Sequence, residues 1–403
     1  MKVKIKKSTL RGTINAPSSK SMAHRLLICA ALAEGVSTVH NVTPCEDVLA
    51  TLDCLRALGA SVDSDKNSYT VTGTNIFKSH KNSLLSARES GSTLRFMIPI
   101  ASLSGEECTI VGAESLMRRP MGVYEEIFES RGLQFYKKDN AIKFSGALSP
   151  GEYVLRGDVS SQFITGLLFA LPLLSGDSVI KILPPFESRS YVELTLIAMR
   201  EFGVIAEFSD ACTIKISGNQ KYAAHTTTAE GDYSASAFLE AFNTIGSDIN
   251  IGGLMENSAQ GDKIYRELFP LLKSGAPKID ITNCPDLGPI LFALASYFNG
   301  AEFSGTERLR IKESDRCAAM ASELRKFGAD IEIYENRVVI KKAALHAPEV
   351  AINAHNDHRV VMSCSVLLSI FGGIIEGAEA VSKSYPAFFT DIASLGAEVT
   401  IYD

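Results

Sequence analysis

The sequence predicts an α/β fold of two domains, built from six βαβαββ repeats with three repeats in each domain. The first observation is a series of glycines, each ending an apolar, helix-like run and leading into a β-rich stretch: Gly35, Gly105, Gly176, Gly246, Gly300 and Gly372. Four of their five separations are 70 to 72 residues, and one is 54. A second series alternates with the first: Gly59, Gly132, Gly203, Gly275, Gly328 and Gly396. Both series predict helix ends, because a helix C-terminus favours a left-handed glycine.

Near-identical octapeptides around three glycines of the second series are the second observation. They are Leu-Arg-Ala-Leu-Gly-Ala-Ser-Val at 55–62, Leu-Arg-Lys-Phe-Gly-Ala-Asp-Ile at 324–331 and Ile-Ala-Ser-Leu-Gly-Ala-Glu-Val at 392–399. Each repeat therefore reads as strand, helix, strand, helix and a strand pair. One such repeat is too small to bury its own core, so two domains of three repeats are the economical division of 403 residues.

Polar clusters mark the start of one helix in every repeat. Counting back fifteen residues from each glycine of the first series gives a position beside a Ser, Asp or Asn that can cap a helix: Lys20, Ser90, Ser161, Gly231, Pro285 and Asp357. The amides at a helix start are unpaired and carry a partial positive charge, so they attract anions. The sequence therefore predicts sites for phosphates or carboxylates.

Composition narrows the class of protein. Lys and Arg number 40 against 46 Asp and Glu, and a net charge of -6 disfavours a protein that coats nucleic acid or an anionic membrane. No signal-peptide pattern follows the basic start, and no apolar run reaches the length of a membrane span. Eight cysteines are scattered singly, as reduced thiols would be. We expect a soluble, cytoplasmic protein, monomeric, with no nucleic-acid or membrane partner.

Cofactor motifs are absent from the sequence. There is no Gly-Lys dipeptide and no Gly-x-Gly-x-x-Gly, so neither a nucleoside triphosphate nor NAD is indicated. His355 and His358 stand three residues apart and could share a metal, but no third ligand follows at a known spacing. We expect no metal and no organic cofactor.

Cations at the first predicted helix start indicate an anion site. Lys20 and Arg25 lie in its first turns, where the helix dipole disfavours positive charge unless an anion is bound. The alternative is a solvated basic patch. In the second repeat, Gly91 stands among small residues that allow close backbone approach to a ligand, although a plain capped turn explains them almost as well. Further on, one of Arg118 and Arg119 is expected to point inward and the other to be solvated.

Neutral donors precede the third pair of helices. Ser160, Ser161 and Gln162 open one of them, and Ser188 and Tyr191 follow a strand and two prolines. Hydroxyls and an amide suit a phosphate or the hydroxyls of a ring, although serine caps are common in any protein.

The C-terminal half holds carboxylates among cations. A helix is predicted to begin near Glu313, which places Glu313 and Arg316 three apart on one face. A substrate that brings its own negative charge could raise the pKa of Glu313 enough for acid catalysis. The alternative is a surface ion pair, worth under about 1 kcal/mol.

Eight motifs, in order, resemble the 5-enolpyruvylshikimate-3-phosphate synthase family over essentially the whole chain. They are Lys20-Ser21 with Arg25, Ser90 to Arg95, Arg119-Pro120, Ser160 to Gln162, Asn257 to Asp262, Pro285-Asp286, Lys312 to Arg316 and Asn356 to Arg359. The resemblance implies an inside-out α/β barrel in each of two domains, with helices inside and sheets outside. One domain is expected to span 17–228 and the other 1–16 with 229–403, joined by two hinge crossings, with the ligands in a cleft that closes.

The reaction implied by the resemblance transfers the enolpyruvyl group of phosphoenolpyruvate to the 5-hydroxyl of shikimate 3-phosphate and releases phosphate. It belongs to the shikimate pathway of aromatic amino acid biosynthesis and needs no cofactor. Both substrates are polyanions, and the matching positions supply seven cations: Lys20, Arg25, Arg119, Lys312, Arg316, Arg359 and Lys383.

Site roles are carried over position by position. The resemblance implies a shikimate 3-phosphate set of Lys20, Ser21, Arg25, Ser160, Ser161, Gln162, Ser188, Tyr191, Asp286 and Lys312. It implies a phosphoenolpyruvate set of Lys20, Gly91, Arg119, Gln162, Arg316, Arg359 and Lys383. Glu313 is expected to give and retrieve the methyl proton, with Asp286 as base near the hydroxyl and Lys20 assisting.

Three positions depart from the commoner family pattern, namely Ser18, Glu89 and Ala235. Glu89 would repel phosphoenolpyruvate, so we expect it to face away from the site. One alternative is the UDP-N-acetylglucosamine enolpyruvyl transferase, but Glu114 and Ser21 stand where that enzyme carries cysteine and asparagine. A non-catalytic ring around nucleic acid is the other alternative, and it should line its helices with cations, whereas 26–32 and 163–174 are apolar.

Overall fold

The structure is a computed structural model that describes residues 1–78 and 83–402. The chain divides into two compact units. Residues 18–230 form one, which we call the N-terminal unit, and residues 1–17 with 231–403 form the other, the C-terminal unit. Among the described residues, no helix combines the length and apolar character needed to cross a membrane.

Two strands of the C-terminal unit open the chain, β1 (Lys2–Ile5) and β2 (Arg11–Asn15). The N-terminal unit follows, with elements α1 (Lys20–Leu32), β3 (Val36–His40), α2 (Glu46–Ala57), β4 (Ser61–Asp65), β5 (Ser68–Thr72), β6 (Ser83–Ser86), α3 (Gly91–Ala101), β7 (Cys108–Val111), α4 (Glu114–Met117), α5 (Gly122–Ser130), β8 (Gln134–Lys138), β9 (Ala141–Ser145), β10 (Gly151–Arg156), α6 (Ser161–Ala170), β11 (Ser178–Leu183), α7 (Arg189–Glu201), β12 (Ala206–Phe208), β13 (Thr213–Ile216) and β14 (Thr226–Thr228).

The rest of the C-terminal unit comprises α8 (Tyr233–Thr244), β15 (Asp248–Gly252), α9 (Tyr265–Ser274), β16 (Lys278–Asp280), α10 (Gly288–Tyr297), β17 (Gly300–Ser304), α11 (Arg316–Lys326), β18 (Asp330–Tyr334), β19 (Arg337–Lys341), β20 (Ile352–Asn353), α12 (His358–Phe371), β21 (Gly373–Glu376), α13 (Phe388–Ser394) and β22 (Val399–Tyr402). Short 3-10 helices lie at Ser102–Ser104, Leu171–Leu173, Gly261–Ile264, Pro285–Leu287, Glu307–Ile311 and Ala378–Lys383.

Each four-stranded sheet combines one parallel pair of strands with two antiparallel pairs. In the second repeat the order is β6-β7-β9-β8, with Ser83 opposite Cys108 in the parallel pair and Cys108 opposite Phe144 in the first antiparallel pair. The same arrangement recurs in β14-β3-β5-β4, β10-β11-β13-β12, β16-β17-β19-β18 and β20-β21-β1-β22. The predicted βαβαββ order is complete along the chain in the second, third and fifth repeats, whereas the sheet of the first repeat includes β14 and that of the sixth includes β1 from the start of the chain.

The fourth repeat departs from the prediction. Helix α9 ends at Ser274 and β16 begins at Lys278, and the three residues between them are too few for a strand pair. Its sheet has two strands, with β15 parallel to β2 from the start of the chain. The expectation of a strand pair in every repeat is wrong here, and the short separation of 54 residues reflects its loss.

Helices form the inside of each unit. In the N-terminal unit α1, α3 and α6 are buried along nearly their whole length, and in the C-terminal unit α8, α10 and α12 are buried likewise. The strands alternate buried and exposed residues, as in β10, so one sheet face meets the helices and the other meets solvent. The apolar run 26–32 is core, as predicted, and not a lining for a polyanion.

Serine and aspartate caps start the core helices as predicted. Ser19, Ser90, Ser160, Asp232 and Asp357 each accept a hydrogen bond from a backbone amide of the helix that follows. Such a cap satisfies one of the four orphan amides of a helix start. The fifth core helix, α10, is entered instead through the 3-10 turn Pro285–Leu287.

Ten of the twelve glycines predicted to be left-handed have positive φ, and two do not. Gly275 is extended, with φ of -178°, because the chain runs directly on into β16. Gly176 is packed against the ring of Pro150, and an added Cβ would lie 3.1 Å from the Pro150 Cβ atom. At these two positions the left-handed prediction is wrong.

Candidate active site

The structure places predicted site residues in two clusters, one in each unit, and each is described by itself. In the N-terminal unit, Lys20 is the first residue of α1, and its Nζ lies 2.8 Å from Asp47 Oδ2 on α2. Both side chains are largely shielded from solvent. The ammonium group is therefore fixed at a helix start, where the dipole alone would disfavour it.

Arg25 is buried one turn further along α1 and orders its neighbours. Its Nε donates to Thr195 Oγ1 at 2.9 Å, Nη1 to the Ser21 carbonyl at 2.6 Å and Nη2 to the Tyr191 carbonyl at 2.8 Å. Burial lowers the pKa of Arg25 to about 10, which leaves it charged at neutral pH. Arg25 thus ties the start of α1 to the start of α7.

Ser188 and the start of α6 supply the neutral donors. Ser160 caps α6 by accepting a hydrogen bond from the Gln162 amide at 3.3 Å. Ser188 precedes α7 in the left-handed conformation, with φ of 55°, and is almost fully buried. A non-glycine residue in this conformation is strained, and such strain concentrates at functional sites.

Gly91 lies against three polar side chains. A Cβ atom at this position would lie 2.8 Å from Arg119 Nη1, 3.5 Å from Arg95 Nη1 and 3.6 Å from Gln162 Oε1. Arg95 Nη1 donates to Gln162 Oε1 at 2.6 Å, and Gln162 Nε2 donates to Ser92 Oγ at 2.9 Å. Only a glycine leaves the amides at the start of α3 accessible beside these groups.

Arg118 and Arg119 point in different directions, as predicted. Arg119 is 8% exposed, whereas the Arg118 side chain is 71% exposed and pairs with Glu114. Glu89 lines a depression with Arg88, Gly112 and other residues, and no predicted site residue contributes to that depression.

A buried hydrogen-bond chain connects α1, α2 and α3 beneath the cluster. His24 Nδ1 lies 2.7 Å from Thr51 Oγ1, Thr51 Oγ1 lies 2.7 Å from Thr93 Oγ1, and Thr93 donates to Ser90 Oγ at 2.8 Å. Burial, with the charges of Lys20 and Arg25, holds the pKa of His24 well below its usual value. The neutral imidazole of His24 is therefore connected, through Thr51 and Thr93, to Ser90, the residue that caps α3.

Arg316 is the centre of the cluster in the C-terminal unit. Its Nε lies 2.9 Å from Asp357 Oδ2, Nη1 2.9 Å from Asp286 Oδ1 and Nη2 2.5 Å from Glu313 Oε2, and the guanidinium is 1% exposed. Burial alone would lower the pKa of Arg316, but Asp357, Glu313 and Asp286 raise it above its usual value. One cation is thus shared by three carboxylates.

Asp286 is in turn shared by three cations. Besides Arg316, Lys312 Nζ lies 3.4 Å from its Oδ1 and Arg359 Nη2 lies 3.1 Å from its Oδ2, while Arg359 Nη1 donates to its carbonyl at 2.9 Å. Burial lowers the pKa of Lys312 to about 8, against the opposing effect of Asp286. Four predicted residues, Asp286, Lys312, Arg316 and Arg359, therefore form one network with Glu313 at its edge.

The predicted start of the next helix is wrong. Helix α11 begins at Arg316, and Asp315 caps it by accepting from the Ala318 amide at 3.0 Å. Glu313 consequently lies in the preceding loop and reaches Arg316 from there, not along a helical face. An Asp cap outweighs the helix preference of the residues before it.

Lys383 contacts the loop that leads into α12. Its Nζ donates to the Asn356 carbonyl at 2.6 Å, and Asp357 caps α12 by accepting from the Arg359 amide at 2.9 Å. His355 and Asn356 are both left-handed, with φ of 50° and 54°. In the described ranges, no group of three or more His, Cys, Asp or Glu side chains is placed to hold a metal ion.

Two acidic residues of these clusters were missed by sequence reasoning. Asp47 sits in the first turn of α2, where an acidic residue is unremarkable. Asp262 ends one of the eight family motifs, and the sequence assigns it no role. In the structure it is buried, and burial together with the charge of Asp286 raises its pKa to about 6. The motif Asn257 to Asp262 points to this part of the chain, but the burial of the Asp262 side chain cannot be deduced from the sequence.

Solved structures define the class of fold. An EPSP synthase from Acinetobacter baumannii matches with a TM-score of 0.80 at 21% identity, covering 100% of both chains. The enolpyruvyl transferase NikO from Streptomyces tendae matches with a TM-score of 0.77 at 14% identity, covering 99% of this chain and 98% of that one. The chain has the enolpyruvyl transferase fold.

Sequence comparisons define the family. The family model described as EPSP synthase (3-phosphoshikimate 1-carboxyvinyltransferase) matches residues 5–392. Proteins named 3-phosphoshikimate 1-carboxyvinyltransferase are 41% identical in Clostridium kluyveri and 38% identical in Clostridium perfringens strain 13, with 98% of each chain covered in both cases. The chain belongs to the EPSP synthase family and is an enzyme, a transferase of the shikimate pathway.

Proposed function

We propose that this enzyme transfers the enolpyruvyl group of phosphoenolpyruvate to the 5-hydroxyl of shikimate 3-phosphate, which gives 5-enolpyruvylshikimate 3-phosphate and inorganic phosphate. The observation that carries the proposal is the network around Arg316, in which Asp286, Glu313 and Lys312 stand together. It combines anion-binding cations with carboxylates able to move protons, and the reaction requires both.

Shikimate 3-phosphate is assigned to the donors at the starts of α1, α6 and α7 and to the Asp286 network. Ser160, Ser161, Ser188 and Lys312 hold its phosphate in this proposal, because hydroxyls, helix-start amides and an ammonium suit that group. The ring and its carboxylate are assigned to Lys20, Ser21, Arg25, Gln162, Tyr191 and Asp286. The hydrogen bonds from Arg25 to the Ser21 and Tyr191 carbonyls support this assignment, since they order both residues.

Phosphoenolpyruvate is assigned to the cations that surround Gly91 and Arg316. The proposed set is Lys20, Gly91, Arg119, Gln162, Arg316, Arg359 and Lys383. The close approach of Arg119 and Gln162 to Gly91 supports it on the N-terminal unit, and the Asp286 network supports it on the C-terminal unit. The proposal requires both sets to act on the same ligands.

Glu313 is assigned the acid step. Glu313 Oε2 lies 2.5 Å from Arg316 Nη2, and an anionic substrate that engages Arg316 competes with Glu313 for that cation. Losing the counterion raises the pKa of Glu313, so the carboxyl can protonate the methylene carbon of phosphoenolpyruvate. The adjacent carbon becomes cationic and is attacked by the 5-oxygen, whose proton passes to Asp286. Glu313 then takes a proton back from the methyl group as phosphate leaves, with Lys20 assisting.

Two further assignments accompany the reaction. The proposed state is a monomer, and the proposed location is the cytoplasm. The cysteines support a reducing compartment, because all eight lie in the described ranges as free thiols and seven of them are buried.

Phosphate release from phosphoenolpyruvate tests the proposal directly. Purified enzyme should release phosphate when shikimate 3-phosphate is the acceptor and none with UDP-N-acetylglucosamine. Mass spectrometry of the product should show the acceptor plus one enolpyruvyl group. Turnover with UDP-N-acetylglucosamine alone would replace the proposal by the alternative acceptor.

A further inference from the structure

Glu323 is a fully buried carboxylate of α11 outside the network around Arg316. Its Oε2 lies 2.6 Å from Lys326 Nζ and accepts the Asn353 amide at 2.8 Å, and its Oε1 lies 2.8 Å from His355 Nε2. The side chain is 1% exposed. A buried carboxylate is retained only when paired and hydrogen-bonded, and both oxygens of Glu323 meet that condition.

Two of the three partners of Glu323, Asn353 and His355, lie in one loop, residues 353–356, and the third, Lys326, contacts the chain just before it. Asn353 ends β20, and Lys326 Nζ also donates to the Ala351 carbonyl at 2.9 Å, so the chain is clamped on both sides of Ile352. His355 and Asn356, which follow, are two consecutive left-handed residues that carry side chains. Such a conformation is disfavoured for each residue and persists where the surroundings impose it.

Three groups of the Arg316 network come from this loop and from the start of α12 that follows it. The Asn356 carbonyl accepts from Lys383 Nζ, Asp357 binds Arg316, and Arg359 binds Asp286. All three groups belong to residues 356–359, directly at or after the left-handed pair His355 and Asn356. A shift of the loop would therefore displace the acceptor of Lys383 and the guanidinium of Arg359 together.

We propose that Glu323 is a positioning residue for phosphoenolpyruvate: it holds the strained loop 353–356 so that Arg359, Lys383 and Arg316 face the same anion. The inference rests on the proposed function, since it uses the roles assigned there to these three cations. Glu323 itself contacts no reacting group; it acts through Asn353 and His355.

Steady-state kinetics of Glu323→Ala and Glu323→Gln test the inference. Glu323→Ala should raise the KM for phosphoenolpyruvate by about 10- to 100-fold, because a displacement of about 1 Å in a positioned group can cost about 100-fold. The KM for shikimate 3-phosphate should change by less than about threefold, since most of its assigned residues lie on other elements. Glu323→Gln keeps one of two acceptor oxygens, so its effect should be about 3- to 10-fold.

Ile340→Ala is the matched control for lost stability. Ile340 is a buried residue of β19 in the same unit, away from the loop, and its truncation opens a cavity without touching the network. All variants are assayed below the onset of unfolding, which circular dichroism locates. If Glu323→Ala does not fold, Glu323→Gln decides the question alone.

Each outcome has one meaning. A rise in the KM for phosphoenolpyruvate in the Glu323 variants, absent from Ile340→Ala, supports the positioning role. Unchanged constants in Glu323→Gln, or an equal change in Ile340→Ala, overturn it while the proposed function stands. Wild-type enzyme that releases no phosphate from phosphoenolpyruvate would sink the proposed function and this inference together.

Discussion

The two clusters differ in how their positive charge is balanced. In the N-terminal unit the cations are Lys20, Arg25, Arg95 and Arg119, and the carboxylate of Asp47 pairs with Lys20. In the C-terminal unit the cations are Lys312, Arg316, Arg359 and Lys383, with carboxylates Asp262, Asp286, Glu313 and Asp357 among them. The first cluster is suited to holding anions, and the second to exchanging counterions and protons.

This contrast gives each unit a different response to substitution. Removing a cation from the N-terminal cluster should weaken anion binding directly, because a charge-assisted contact to the ligand is lost. Removing a carboxylate from the C-terminal cluster should change proton transfer or the pH dependence of stability. The variants below are chosen to separate these effects.

Glu313→Gln should have the largest effect and bears on the chemistry of the C-terminal cluster. A general acid contributes about 100- to 10,000-fold, so kcat should fall by that order while the KM for phosphoenolpyruvate changes little. Stopped-flow or coupled phosphate assays measure the loss. Glu307→Gln, an exposed carboxylate on the preceding 3-10 helix, is the control. Full turnover in Glu313→Gln would show that another group supplies the proton.

Arg119→Ala should come next and bears on the N-terminal cluster. Losing a charge-assisted contact to the phosphate or carboxylate of phosphoenolpyruvate should lower kcat/KM for that substrate by about 100-fold. Arg118→Ala is a matched control, since the neighbouring guanidinium is solvated and pairs with Glu114. Equal losses in the two variants would remove the distinction between the inward and the outward arginine.

Gly91→Ala should have a smaller effect on the same cluster. The added methyl group would lie 2.8 Å from Arg119 Nη1, so the guanidinium must shift, and kcat/KM for phosphoenolpyruvate should fall about tenfold. Gly122→Ala, at the start of α5 with nothing within 4 Å of the added carbon, should be neutral. Unchanged kinetics in Gly91→Ala would mean that the ligand does not approach α3 at this point.

Asp262→Asn should have the smallest effect, measured as stability and not as rate. The folded pKa of Asp262 is raised to about 6 from 3.8, so the folded state binds the extra proton. Its contribution is present below about pH 4 and is lost as the pH rises through about 6. Asp262→Asn should therefore gain stability relative to wild type as the pH rises from about 4 to about 6, reaching about 3 kcal/mol above that range.

Urea unfolding at about pH 4.5 and about pH 7.5 measures that difference. Asp330→Asn, an exposed carboxylate of β18 in the same unit, should show no such pH dependence. If the wild type and Asp262→Asn respond to pH in the same way, Asp262 is ionised in the folded enzyme at both values.

Much of the fold could be predicted from short sequence patterns, namely helix caps and glycines. The starts of α1, α3, α6 and α12 were predicted because a cap residue and a glycine fifteen residues later are both set by backbone chemistry. The loss of the strand pair in the fourth repeat was not predicted, although the short glycine spacing was visible. Strand β15 of that repeat pairs instead with β2, which lies more than 200 residues earlier in the chain, and such a distant pairing leaves no local signal in the sequence.

The residues of the two clusters could be predicted less completely from the sequence than the fold could. Residues in compact motifs, such as Lys312 and Arg316, were found, since unusual runs of charge stand out in a sequence. Asp47 and Glu323 were not, because an isolated acidic residue on a helix reads as solvent-exposed. Their importance arises from burial and from partners on other elements, which only the folded chain provides.

The sheet order β20-β21-β1-β22 ties the first strand of the chain to its last ones. During synthesis residues 2–5 leave the ribosome long before their partners at 373–376 and 399–402. The N-terminal unit has no such dependence on late-synthesised strands and can complete its sheets while translation continues. Strand β1 therefore stays without these two partners until β21 and β22 have been synthesised, so the C-terminal unit completes this sheet later than the N-terminal unit completes its own.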